Sequence, residues 1–242
     1  MKILAIDSSG LTASVAVVED DSLISEYTVN YKKTHSQTLL PMLDEIKNMT
    51  ELDLSTIDAI AISNGPGSFT GLRIGSASAK GLGLALKKPI IEVSTLEALA
   101  YNLYGTENYV CPIMDARRNE VYTGVFTFEV DSSDSSKEFT YKFKTVVEPV
   151  PLGIEDLIQK LETFGRPVIF TGDGIDVYRQ VIAEKMKVPY SFASAIANRQ
   201  RAGSVGLLAM RMAAEGKFVS ADDSAPVYLR LSQAERERME AK

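Results

Sequence analysis

Residues 3–17 read ILAIDSSGLTASVAV, and residues 110–125 read VCPIMDARRNEVYTGV. Laid so that Asp7 meets Asp115, an offset of 115 − 7 = 108, both give a strand, an aspartate, a turn and a second strand. Further along, AIAISNGPG (59–67) lies near PVIFTGDG (167–174) at a similar spacing. Chance similarity between apolar strands is the rival explanation. Agreement of order and spacing across several elements favours duplication, with each half reading β-β-β-α-β-α.

Outward from these anchors the rest of the chain follows. Strands are expected at 2–7, 12–18 and 23–29, an antiparallel meander. A helix over 36–48 carries Leu39, Leu40, Leu43 and Ile46 on one face, with Pro41 loosening its first turn. A strand at 58–63, a glycine-rich loop, a helix to about Lys87 and a strand at 89–93 come next. Ser94 and Glu97 have capping-box spacing before the helix TLEALAYNLY. In the second half, strands are expected at 109–115, 120–130 and 139–147. Helices are expected at about 153–163 and 176–187, with RPVIFTG a strand between them. A long helix spans 199–216, APVYLRL (225–231) is a short strand, and a charged tail starts at Ser232. The polar stretch DSSDSSKE (131–138) reads as a mobile hairpin loop.

The bulk composition excludes several classes. The chain has 242 residues, 45% of them hydrophobic, enough for one large domain or two small lobes. Its formal net charge of −6 argues against a free-standing nucleic-acid binder, which neutralises phosphates with a basic face. One cysteine, Cys111, allows no internal disulfide and reads as a small buried apolar residue. No apolar run reaches the ~18 residues of a membrane span, and MKILAIDSS is a strand rather than a signal peptide. A cytoplasmic location is expected. With one histidine, His35, and one cysteine, no zinc site of the usual kind and no convincing Ser-His-Asp set can be assembled.

Three features invite chemistry. Asp7, Ser8 and Ser9 stand at a strand-end turn where a carboxylate could hold magnesium and turn amides a phosphate. The competing reading is a turn-capping aspartate. The matching turn Ala116-Arg117-Arg118-Asn119 has no glycine, so half of a phosphate clamp is missing. The loop Gly65-Pro66-Gly67-Ser68-Phe69-Thr70-Gly71 is neither a dinucleotide fingerprint nor a P-loop, although Glu92 follows at a ribose-binding distance. It reads as a structural turn. In the helix after it, Gly71, Gly75, Ala79 and Gly83 repeat every four residues as one smooth stripe. Each glycine costs roughly 1 kcal/mol against alanine, which close packing of a neighbour can offset. That neighbour is either inside the same lobe or on another molecule, and the sequence leaves both open.

The stretches 1–17, KKTHSQTLLPMLDEI (32–46), AISNGPGSFTGLRIG (61–75), MDARRNEVYTGVF (114–126), FTGDG (170–174) and PVYLR (226–230) together resemble the TsaB family, also called YeaZ. The resemblance covers essentially the whole chain, and GPGSFTGLRIG is its most specific part. It implies an α/β fold of the actin/Hsp70/sugar-kinase (ribonuclease H-like) type, two duplicated lobes each with a mixed five-stranded sheet. Lobes of 1–104 and 105–242 are expected, with the helix at about 199–216 packing back on the first. The resemblance also implies a role in forming threonylcarbamoyladenosine in tRNA. The chain would be a non-catalytic scaffold for the catalytic paralogue TsaD, with the ATPase TsaE joining, tRNA reached through the complex, and a homodimer when alone. It implies no catalytic or metal residues, no required cofactor, and at most ATP or ADP with magnesium, bound weakly or at the interface. Carried over, the partner helices hold His35, Leu39, Leu43, Gly71, Gly75, Ala79 and Gly83, which tips the stripe toward an intermolecular bundle. Gly75→Leu is then expected to abolish pairing and spare the fold. An ATP-binding phosphotransferase using Asp7, Ser8 and Ser9 is the alternative. The older glycoprotease-like label is disfavoured by the missing histidine pair.

Overall fold

The computed structural model describes residues 1–131 and 140–230. Most of the expected loop at 131–138 and the expected tail from Ser232 lie outside the described residues. The chain divides into two compact units, Met1–Ala98 with the chain from Gln200 onward, and Leu99–Arg199.

The first unit holds β1 (Lys2–Asp7), β2 (Ala13–Glu19), β3 (Ser22–Val29), α1 (His35–Thr50), β4 (Ala59–Ser63), α2 (Phe69–Leu86) and β5 (Ile90–Val93). Its sheet order is β3-β2-β1-β4-β5, antiparallel on the β1–β2–β3 side and parallel through β4 and β5. Period-two alternation sorts the strands' side chains. Leu4, Ile6, Val15, Val17, Ile60 and Ile62 point into a core closed by Leu39, Met42, Leu43 and Ile46 of α1 and Ala79 of α2. The opposite face is covered by α6 (Ala202–Ala214), which packs on β1 and β2. Gly206 permits that close approach, since a Cβ there would stand 2.6 Å from Val18 Cγ2 and 3.3 Å from Ala5 Cβ. The start of α6 is tied to β2 and β3. The Ala202 amide donates to Ser14 Oγ at 2.9 Å, and the Gly203 amide donates to Glu26 Oε1 at 2.9 Å. A carboxylate at a helix N-terminus is favourably placed.

The second unit repeats the pattern with α3 (Thr95–Tyr101) leading into it. It contains β6 (Tyr109–Asp115), β7 (Glu120–Asp131), β8 (Thr140–Gly153), α4 (Ile154–Phe164), β9 (Val168–Thr171), α5 (Ile175–Lys185) and β10 (Tyr190–Phe192). The sheet order β10-β9-β6-β7-β8 mirrors the first sheet strand for strand. The duplicated five-stranded architecture is therefore present in both units.

Three local expectations are corrected. Leu40 is 53% exposed and Met42 takes the core position, because the buried face of α1 falls on 39, 42, 43 and 46. The Ser94 hydroxyl is buried with no hydrogen-bond partner among the described residues, so it forms no capping box. Residues 225–230 are not a strand; among the described residues the backbone bridge from this region to the sheet is at Val219, antiparallel to Ile90.

Candidate functional site

Asp7 ends β1 and is fully buried. Its Oδ1 accepts hydrogen bonds from the Ser9 amide at 2.9 Å and the Ser9 hydroxyl at 2.7 Å, closing a tight turn on itself. The Ser8 hydroxyl donates to the Gly71 carbonyl at 2.9 Å, and the Ser68 amide donates to the Ser9 carbonyl at 2.7 Å. Gly67 and Gly71 lie so close on the Ser9 and Ser8 carbonyls that a Cβ at either would collide. The other side of the turn is covered by Gln200, which is 1% exposed. A Cβ at Gly10 would stand 2.6 Å from its Nε2. Burial pushes the Asp7 carboxyl above the usual carboxylate range, against the hydrogen bonds from Ser9, the nearby Ser63 hydroxyl and the charge of His35.

A phosphate held on such a turn needs amides and hydroxyls aimed outward. Here the Ser9 amide and both serine hydroxyls serve protein acceptors, and Gln200 lies over Gly10. These uses leave a phosphate fewer donors on the turn, while Asp7 Oδ2 and both polar side-chain atoms of Gln200 are buried with no hydrogen-bond partner among the described residues. In the second unit the matching turn is closed by the equivalent amide bond, with an arginine side chain in place of the serine hydroxyl. Asp115 accepts from the Arg117 amide at 2.9 Å and pairs with its guanidinium at 3.0 Å. Arg117, Arg118 and Asn119 all have positive φ, at 65°, 57° and 59°. Without a glycine the turn carries three side chains in the left-handed region, a strained arrangement. Asp173, in the loop after β9, is pushed up to about 6 by burial, against the pull of Arg199.

The glycine stripe has a clear location. Gly71, Gly75, Ala79 and Gly83 are all buried and face their own sheet. A Cβ at Gly75 would collide with Ser8 Oγ and stand 3.0 Å from Ile62 Cδ1. At Gly83 it would stand 3.1 Å from Ala221 Cβ and from the Lys88 carbonyl oxygen. The stripe therefore packs inside its own unit, and direct contact of these four residues with a partner is corrected on that ground. Leu39 and Leu43 are core residues as well. His35 is half-buried at the start of α1, its Nε2 2.8 Å from the Gly10 carbonyl.

The opposite face of α2 is exposed and small or apolar: Ala77, Gly81, Leu84 and Ala85. A Cβ at Gly81 would meet nothing within 4 Å. Its signal was in the sequence, because Ala77, Gly81 and Ala85 also repeat every four residues. They follow the first stripe by two positions, about 200° round the helix. On α1, Leu40 and Met49 are exposed, the latter 82%. Glu92 binds no ribose in this arrangement; its Oε1 accepts from Ser224 Oγ at 2.7 Å and the Ala225 amide at 3.0 Å. Gln200 had no sequence signal, since its position on the turn depends on the chain's return to the first unit. Among the described residues no three His, Cys, Asp or Glu side chains gather as a metal-binding group, and no helix is long and apolar enough to cross a membrane.

Two mirrored five-stranded units, each with a strand-end aspartate turn at the tip of its central strand, make a duplicated actin-like fold. The polyphosphate/ATP-glucomannokinase of an Arthrobacter strain shares the fold at a TM-score of 0.50 and 11% identity, over 89% of this chain and 99% of that one. The family model described as TsaD: tRNA N6-adenosine threonylcarbamoyltransferase matches residues 22–238, and the chain belongs to that family. Within it, the chain is 31% identical to the tRNA threonylcarbamoyladenosine biosynthesis protein TsaB of Bacillus subtilis, over 100% of this chain and 99% of that protein. It also superposes on YeaZ from Pseudomonas aeruginosa with a TM-score of 0.75 and 28% identity, covering 94% and 100% of the two chains.

Proposed function

We propose that this chain is a non-catalytic scaffold in the cytoplasmic formation of threonylcarbamoyladenosine in tRNA. It pairs with the catalytic paralogue TsaD, with TsaE joining and tRNA engaged through the assembly. The observation that carries the reading is the turn at Asp7, whose Ser9 amide and two serine hydroxyls serve protein acceptors and whose outer side lies under Gln200. An actin-like chain with that turn filled from within is suited to holding a partner rather than to moving a phosphoryl group. The exposed faces of α1 and α2, with Leu40, Met49, Ala77, Gly81, Leu84 and Ala85, supply the pairing surface. Small residues at 77, 81 and 85 let a partner helix approach closely. No cofactor is required of this chain.

Size-exclusion chromatography with light scattering tests the reading, on the protein alone and mixed with TsaD of the same organism. A homodimer that exchanges into a one-to-one heterodimer supports it. A protein that ignores TsaD overturns both the role and the surface.

A further inference from the structure

Residues 217–230 lie along one flank of the first unit, fastened at successive points to β5, α2 and the loop between β4 and α2. Val219 and Ile90 exchange two backbone hydrogen bonds of 2.9 Å each. Ala221 packs against Gly83 inside the core. Lys80 Nζ donates to the carbonyls of Asp222 at 3.0 Å and Ser224 at 2.9 Å. Glu92 takes the Ser224 hydroxyl and the Ala225 amide. The Val227 amide donates to the Asn64 carbonyl at 2.8 Å, and the Val227 carbonyl lies where a Cβ of Gly65 would be, at a φ of +116°. Tyr228 closes the series: its ring centroid is 4.9 Å from that of Phe69, and its hydroxyl accepts from Arg73 Nε at 3.3 Å. Arg73 in turn lies 3.9 Å over the Phe69 ring.

Each fastening is modest, since a net hydrogen bond and an exposed aromatic pair each contribute little. Outside Val219 the segment has no sheet ladder to hold it, and Val227 and Tyr228 are 51% and 40% exposed. Its targets are nevertheless the loop and first turn that set where α2 begins, together with Lys80 midway along that helix. Ala221 and Ser224 are buried, so the weakest fastenings are those of Val227 and Tyr228, and elements held by few, solvent-near bonds open at lower free energy than the core does.

We propose that residues 219–228 form a releasable strap. Fastened, it fixes the loop 64–68 and the first turns of α2; released, it loosens them and withdraws the outer face of α2 from its partner. Tyr228 and Lys80 are its positioning residues. The switching half of this proposal rests on the scaffold reading above.

The test compares wild type, Tyr228→Phe, Tyr228→Ala and the double variant Lys80→Met/Tyr228→Ala. Amide hydrogen exchange is read on each protein alone, and affinity for TsaD by calorimetry. Tyr228→Phe keeps the ring pair and is expected to stay within twofold of wild type in both. The double variant is expected to exchange at least tenfold faster at 64–72, with 39–46 of α1 unchanged, and to bind at least tenfold more weakly. Unchanged exchange at 64–72 overturns the strap. Faster exchange with unchanged affinity also overturns it, because release would then not reach the partner face. If wild type itself fails to pair, the scaffold reading falls, and the exchange data alone decide whether the strap holds the loop. A variant that loses protection throughout α1 is globally unfolded; Tyr228→Ala alone, at a 40% exposed site, then supplies the comparison.

Discussion

His35 Nε2 stands 2.8 Å from the carbonyl oxygen of Gly10. A carbonyl only accepts, so Nε2 carries the proton. This bond ties the first residue of α1 to the turn that follows β1, two places that are 25 residues apart in sequence. His35→Ala is expected to lower stability by about 1 kcal/mol in chemical denaturation. Nitrogen-15 NMR of the wild type should show the proton on Nε2. A variant as stable as wild type would remove the bond from the account of α1.

Gly75 and Gly81 lie on opposite faces of α2 and should respond in opposite ways. Gly75→Ala drives a Cβ into Ser8 Oγ, and overpacking of this kind typically costs about 1–3 kcal/mol. Gly75→Leu is now expected to break the fold rather than spare it. Gly81→Ala meets open space and should stabilise the isolated protein by roughly 0.5–1 kcal/mol through helix propensity. Gly81→Arg should keep the melting temperature and lose pairing with TsaD. Thermal melts and light scattering on the same samples check all four.

Asp173 gives the second unit a pH dependence of known sign. Burial raises its carboxyl to about 6 from an ordinary 3.8, so the folded state holds the proton more tightly than the unfolded chain. Its contribution is fully present below pH 4 and is lost as pH rises through 6, a change of up to about 3 kcal/mol. Asp173→Asn should flatten the stability profile between pH 4 and 7. Parallel profiles for the two proteins, followed by urea denaturation, would contradict this assignment.

Titration with ATP and magnesium should give no heat beyond dilution, because the Ser9 amide and both serine hydroxyls of the Asp7 turn already serve protein acceptors. Tight binding that disappears in Asp7→Ala would instead restore the phosphotransferase alternative.

Much of the fold was legible because it is local or repeated. Asp7 and Asp115 mark equivalent strand ends, and Ser68 caps α2 through its own side chain, accepting from the Gly71 amide. The glycine stripe announced a close approach but not its direction, since a small residue reports only that something is near. Its target, Ser8, lies 63 residues away from Gly71. Gln200 and the strap were hidden for a related reason. Their positions follow from the path of the chain back to the first sheet, and a single bridge at Val219 has no period to detect. Leu40 and Met42 exchanged roles because both fit an apolar helix face, and only the angle of α1 on the sheet separates them.

The first sheet presents Ala5, Ser14 and Val18 to a helix that begins only at Ala202. A ribosome that has released the opening hundred residues has therefore produced a sheet with one bare face. Synthesis at roughly 5–20 residues per second leaves that face open for several seconds before α6 emerges. The nascent chain needs shielding over that interval, and a gene cut at residue 99 would yield a first fragment that aggregates unless the second is made beside it.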